Sequence, residues 1–449
     1  MSRLLSGLGA GLLAFACGCG SPATTPIKVR IENVTPFQFL KSGAFNTPVG
    51  ASAPGPLLPG DAYEFTFTAG QHQTLSFAAM FGQSNDWFFG AKEGGVPLYD
   101  AEGNPRSGDV TADVTLWNAG TEVDQEPGVG ADTGPHQSAP DQGAADPDDT
   151  VREVPDQVTL SNGDLFDRPA TSDMIRVTLT PTANAREFTL RIENVSTATT
   201  LVTSAGTGPV AISPGTWAVG GALFTPGMKE PGQGLEQVAE AGNPTALTAA
   251  VQALTGVVTG FSPGVWVVSS SGAALFTAGE KDRGQGLEQL AEAGDVSGLS
   301  KALLDTPPQG TDDQGTFNTP VGANEPGPLH PGQAYEFTVN AAPGDTLSFA
   351  TMFGASNDWV FATDPAGIAL FDADGMPVSG EVTAQVSLWD VGTEESEEPG
   401  VGPNTGPQQP SPDSGAPDSN SQVRLVTAND DATPVATHLR VTLMPVTAP

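Results

Sequence analysis

The sequence predicts an all-β protein of two antiparallel β-sandwiches, the second enlarged by a duplicated, partly helical insertion. Three observations carry this reading. Among 449 residues, 55 Gly and 40 Pro punctuate the chain too often for long helices and suit short strands joined by turns. Apolar and polar residues alternate, with Tyr63, Phe65 and Phe67 set against Glu64, Thr66 and Thr68, and Tyr335, Phe337 and Val339 against Glu336 and Thr338. A period of two gives each strand one face for a core and one for water. The chain also repeats itself, so the length, a soft prior for about three domains, resolves into two related units.

The repeats set the order of elements. GAFNTPVG (43–50), SNDW (84–87), LWNAGTE (116–122) and EPGVG (126–130) all recur 272 residues later, as GTFNTPVG, SNDW, LWDVGTE and EPGVG. Ile175-Arg-Val-Thr-Leu pairs with Leu439-Arg-Val-Thr-Leu at an offset of 264, and RIENVT (30–35) with RIENVS (191–196) at 161. These offsets place one unit over 27–182 and a second over 187–449, the latter carrying an insert at 198–310. The insert is itself double, because SPGTW (213–217) returns as SPGVW (262–266), and LFT (223–225) and GQGLEQ (232–237) return 52 residues on. Each half ends in a helical pattern, Leu247, Val251 and Leu254 in one and Leu299, Leu303 and Leu304 in the other. Asn243 and Asp295 are the candidate N-caps, and Pro244 suits the first helical position. The stretches 123–157 and 395–422, rich in Gly, Pro, Asp and Gln, read as long surface loops.

Residues 1–19 read as an export signal. Arg3 precedes an apolar run from Leu4 to Phe15, shorter than the about 20 residues that span a bilayer. Both cysteines follow it in Ala16-Cys17-Gly18-Cys19-Gly20, which resembles the lipobox of bacterial lipoproteins. Cys19, preceded by Ala16 and Gly18, fits lipidation better than Cys17, and 20–26 would form a tether. A plain cleaved signal with incidental cysteines is the alternative. No cysteine pair remains downstream for a disulfide framework or a thiolate metal site.

Charge and motifs narrow the chemistry. With 52 Asp+Glu against 17 Lys+Arg, the formal charge of −35 repels nucleic acid and anionic head groups, which leaves a lipid anchor as the membrane link. There is no GxSxG elbow, P-loop, HExxH or dinucleotide fingerprint. His72, His136, His330 and His438 are scattered and read as surface or loop residues. Asp372-Ala-Asp374-Gly375 resembles the start of a calcium loop but lacks its closing acid, so a hairpin turn is expected there. Trp87, Trp117, Trp359 and Trp389 read as packing residues.

One constellation recurs in both units. Asp86, Asn118 and Glu122 correspond to Asp358, Asp390 and Glu394, each just beyond an apolar strand, with Gly120 or Gly392 permitting a turn. Hard cations such as Ca²⁺ take roughly six to eight oxygen ligands, so these positions suit calcium or, alternatively, a solvated acidic rim.

FNTPVG, MFGxSNDWxF, LWDxGTE, EPGVG and the closing IRVTL resemble the spondin domain of F-spondin, mindin and many bacterial exported proteins. The SPGVW and GLEQLAEAG segment is similar to the N-terminal part of bacterial members. The resemblance covers most of both units. It implies sandwiches resembling C2-type calcium-binding modules, with the family's calcium carboxylates mapping to Asp86 and Asp358, to Asn118 and Glu122, and to Asp390 and Glu394. Asn118 stands where the family has an acid, which implies a weaker first site.

The expectation is therefore an exported, surface-anchored, calcium-binding protein without catalysis, acting in adhesion on an extracellular protein or glycan. A structural spacer of the envelope or matrix is the alternative. An enzyme using Asp390 and Glu394 as paired carboxylates is the third reading.

Overall fold

The computed structural model describes residues 24–183, 186–271, 275–406, 408–427 and 433–446. The export signal, Cys17, Cys19 and most of the tether lie outside the described residues.

The chain builds two antiparallel sandwiches, as its alternation predicts. In the first, a four-stranded sheet runs in the order Ala62–Thr68, Glu187–Asn194, Ile175–Pro181, Gly108–Asp109. It faces a seven-stranded sheet ordered Lys41–Phe45, Ile212–Val219, Thr74–Phe81, Trp87–Ala91, Val114–Asn118, Arg152–Glu153, with Val96–Pro97 beside Thr74–Phe81. Phe77, Phe81, Trp87 and Phe89 meet Ile175, Val177, Phe188 and Ile192 in the core between them. The second sandwich repeats this plan, with Phe349, Phe353, Trp359 and Phe361 against Leu439, Val441 and Leu443.

The strand partners correct the sequence-based boundaries. Thr25–Asn33, at the start of the first predicted unit, lies in the second sandwich, paired with Ala334–Ala341 and Leu439–Pro445. Its counterpart Glu187–Asn194, at the start of the second predicted unit, lies in the first sandwich, between Ala62–Thr68 and Ile175–Pro181. The insert is divided in the same way. Ile212–Val219 joins the first sandwich through Lys41–Phe45 and Thr74–Phe81, while Phe261–Ser269 joins the second through Thr311–Phe317 and Thr346–Phe353. Residues 41–254 thus form one sandwich continuously, and the other is closed by a strand from the opposite end of the chain. The two RIENV strands have nearly the same sequence and the same alternation, so either fits either slot. The pairing assigns them: Ile175–Pro181 takes Glu187–Asn194, which follows it in sequence, whereas Leu439–Pro445 takes Thr25–Asn33.

The strand Thr25–Asn33 is a central one, and its Ile27, Val29 and Ile31 are fully buried. Each such side chain stabilises by about 1.5–3 kcal/mol. Asn33 fixes its end by donating from Nδ2 to the carbonyls of Thr259 and Leu329, as Asn194 does to Leu57 and Val210. The two crossing segments run together, with Gln38 N donating to Leu254 O and Gly256 N to Phe39 O, both at 2.9 Å.

The helices lie on the outer face of each larger sheet. Leu235, Val238, Leu247 and Val251 cover Ala78, Phe88 and Trp117, and Leu287, Leu290, Leu299 and Leu303 cover Ala350, Val360 and Trp389. Trp87–Ala91 and Trp359–Thr363 are consequently buried at every position rather than on alternate ones. Leu304 departs from the predicted helix face and is exposed. Asn243 and Asp295 sit one residue before the N-caps and accept from Thr245 N and Ser297 N. All four tryptophans named above are buried, and Asp372 holds its own turn by accepting from Asp374 N and Met376 N.

Two surface readings are corrected. His438 is buried against Phe37, Phe353 and Phe361, with Thr35 on Nδ1 and Thr433 on Nε2. Burial lowers its pKa to about 4. The loop 395–422 is more than a surface excursion, because Glu398 pairs with Lys41 at 2.6 Å and accepts from Thr68 Oγ1 at 3.0 Å. Gln408 Oε1 also accepts from Gln71 N, so this loop joins one sandwich to the other.

Candidate metal centres

The SNDW turn is built by its serine. Ser84 Oγ donates to Phe81 O at 2.8 Å and accepts from Trp87 N at 2.9 Å, which bends the chain between two strands and directs Asp86 inward. Ser356 repeats both bonds at 2.8 and 3.0 Å. Asp86 and Asp358 are each 0% exposed. Their Oδ2 atoms accept from the backbone of the next turn, Thr121 and Glu122 in one sandwich and Thr393 and Glu394 in the other, at 3.0–3.3 Å. Their Oδ1 atoms are buried with no hydrogen-bond partner.

That turn requires glycine. Gly120 and Gly392 have φ of 75° and 76°, and a Cβ would come within 2.5 Å of Thr150 O or 2.8 Å of Gln422 O. Asn118 Oδ1 and Asp390 Oδ1 accept from the amides of these glycines at 2.5 and 2.7 Å.

The second carboxylate of each centre comes from a different position. In the second sandwich it is Asp390, whose Oδ2 accepts from Ser396 Oγ at 3.0 Å and Arg424 Nη2 at 2.6 Å. In the first, position 118 is an amide, and Asp124 supplies the acid, accepting from Asn118 Nδ2 at 2.9 Å and Trp87 Nε1 at 2.6 Å. Asp124 corresponds to Ser396, so the acid and its polar partner have exchanged places between the copies. Sequence reasoning missed Asp124, although the pair of mismatches Asn118/Asp390 and Asp124/Ser396 was its signal.

Burial first, and then the neighbouring acid, push these groups upward. Asp86 is raised well above the usual carboxylate range by burial and by Asp124. Asp358 is raised by burial and by Asp390. Asp390 is itself raised by burial, against the pull of Arg424. Arg424 also binds Asp418 at 2.5 Å, and Arg152 binds Asp146 in the matching place.

Glu122 and Glu394 are buried too, but their carboxylates are held elsewhere. Glu122 Oε1 accepts from Gly143 N at 2.6 Å, and Glu394 Oε1 from Gly415 N at 2.5 Å. Each predicted acidic set is therefore divided, and among the described residues no group of three or more His, Cys, Asp and Glu is placed to hold a metal ion. The pairs still suit a hard cation. They offer only oxygen, they carry more negative charge than their arginine compensates, and each leaves a buried carboxylate oxygen unshared. Calcium would be held by Asp86 and Asp124, and by Asp358 and Asp390. Beside the second pair, a cleft of about 260 Å³ is lined by Asp282, Glu288, Gly392, Thr393 and Asp418.

Among the described residues no helix is long and apolar enough to cross a membrane. In comparisons with known proteins, no family model and no curated sequence matches the chain.

Proposed function

We propose that the protein is an exported, lipid-anchored, calcium-binding protein of the spondin type, acting in adhesion or ligand binding without catalysis. The observation that carries the reading is the unshared, fully buried carboxylate oxygen of Asp86 and of Asp358, each beside a second acid. Leaving such an oxygen without a partner costs about 1–3 kcal/mol or more, and a cation returns that cost. Calcium is plentiful outside cells, where the N-terminal signal would send the chain. The cation would join the SNDW turn to the following Gly turn and so order the edge that carries the cleft, where a protein or glycan ligand would dock.

Calorimetric titration of the mature protein tests the reading. Calcium should bind, with Asp86→Asn and Asp358→Asn each removing the binding equivalent of its own aspartate centre. Absence of heat, together with an unchanged melting temperature in calcium, would sink it.

A structural spacer is the second reading, favoured by the depth of the acids and by the Glu398 loop that joins the sandwiches. Binding of cells or glycans that is lost on chelation while the fold survives would favour adhesion over it.

A further inference from the structure

The repeated segment GLEQxAEAG places one glutamate on each short helix where an apolar residue would be ordinary. Glu240 and Glu292 lie on Leu235–Ala241 and Leu287–Ala293 and are 0% and 1% exposed. Each faces the glutamate that the Gly turn turned away from Asp86 or Asp358. The loop between them holds one oxygen of each acid with amides two residues apart. Asp141 N donates to Glu240 Oε2 at 2.7 Å, and Gly143 N to Glu122 Oε1 at 2.6 Å. In the second sandwich Asp413 N donates to Glu292 Oε2 at 2.8 Å, and Gly415 N to Glu394 Oε1 at 2.5 Å.

The remaining carboxylate and amide oxygens are acceptors, with the hydroxyls of Thr121 and Thr393 beside Glu240 and Glu292. Glu240 Oε1, Glu292 Oε1 and Glu394 Oε2 are buried without a hydrogen-bond partner, and Glu122 Oε2 has only Asn85 Nδ2 at 3.3 Å. Gln137 and Gln409 spend their amide nitrogens on the carbonyls of Glu240 and Glu292, which leaves the Oε1 of each glutamine buried and unpartnered. Two carboxylate oxygens and an amide oxygen thus occur at the same place in both sandwiches, with only the hydroxyl of Thr121 or Thr393 and the amide of Asn85 or Asn357 beside them. Native structures rarely leave even one such atom unsatisfied, and a repeated set of acceptors is what a hard cation requires.

We propose a second divalent-cation site in each sandwich, formed by Glu240, Glu122 and Gln137 in the first and by Glu292, Glu394 and Gln409 in the second. It ties the helical segment to the long loop, whereas the aspartate pair ties strand ends together. Burial, opposed by Asp141 N and the Thr121 hydroxyl and reinforced by Glu122, raises Glu240 to about 7. The inference rests on the calcium reading for its choice of ion but uses different residues.

The test is calcium calorimetry and thermal unfolding of the mature chain carrying E240Q and E292Q together, beside one carrying Asp86→Asn and Asp358→Asn. The glutamine pair should lose one class of binding equivalents, or weaken it by roughly tenfold or more, while the Asp86- and Asp358-dependent class persists. In EDTA the glutamine variant should be at least as stable as the parent, because two buried charges have been removed. Unchanged stoichiometry and affinity in this variant would overturn the second site while leaving the aspartate site standing. Equal destabilisation with and without calcium would overturn it as well, by assigning the glutamates a packing role. Loss of all calcium binding in the parent would overturn both proposals.

Discussion

Asn118 Nδ2 donates to Asp124 Oδ1 at 2.9 Å, an arrangement that places in the first sandwich the carboxylate that Asp390 supplies in the second. The amide at position 118 therefore does not leave the first centre one acid short. Asp86 has Asp124 as its neighbouring anion, as Asp358 has Asp390. We expect the two aspartate centres to bind calcium with affinities within about tenfold of each other, since charge count sets the affinity class. Asp124→Asn should weaken the first as Asp390→Asn weakens the second. Site-resolved titration checks this, and a first centre unaffected by Asp124→Asn would contradict it.

The strand exchange makes a second prediction. A variant lacking residues 1–36 loses the central strand between Ala334–Ala341 and Leu439–Pro445 and should lose cooperative unfolding of the second sandwich, while the first, formed by 41–254, retains its transition. Ile31→Ala should cost about 2–5 kcal/mol in that same transition. Ile31 lies between Tyr335 and Val441 in the register, so the loss should appear in the second sandwich only. Calorimetric scans that resolve the two transitions decide the matter.

His438 predicts a pH dependence. Its folded pKa of about 4 lies below its unfolded value near 6.5, so the unfolded chain binds the extra proton first as pH falls. This contribution is fully present above about pH 6.5 and is lost progressively towards pH 4, amounting to roughly 2 kcal/mol by pH 5. Denaturant unfolding between pH 5 and 7.5 should show a drop that His438→Gln flattens. A variant with the parent's slope would assign the drop to other groups.

The Gly turn gives a local test. Gly392→Ala meets both a φ of 76° and a Cβ position 2.8 Å from Gln422 O, so it should cost about 1–3 kcal/mol and loosen the amides on Asp358 Oδ2. Calcium affinity should fall along with stability. Unchanged values for both would show that the turn is more adaptable than its geometry indicates.

Much of this architecture is legible in the sequence, and the exceptions have physical causes. Alternation at Tyr63–Thr68 reads correctly because only one face of that sheet meets the core. It disappears at Trp87–Ala91, where helices cover the other face, and the pattern there cannot tell strand from helix. The repeats reveal RIENVT and RIENVS but not which sandwich each completes, since two strands of one pattern satisfy the same slot. Asp86 and Asp358 stand out because both copies keep them. Asp124 escapes because its copy is a serine, and Glu240 and Glu292 escape because an acid within a helical pattern ordinarily faces water.

The central claim is that the unshared oxygens of Asp86 and Asp358 are cation ligands. A crystal structure grown in calcium tests it most directly. We predict an ion at about 2.3–2.6 Å from each Oδ1, with Asp124 or Asp390 in the same coordination sphere. Oδ1 atoms hydrogen-bonded to water, or protonated against the neighbouring acid with no ion present at saturating calcium, would contradict the account.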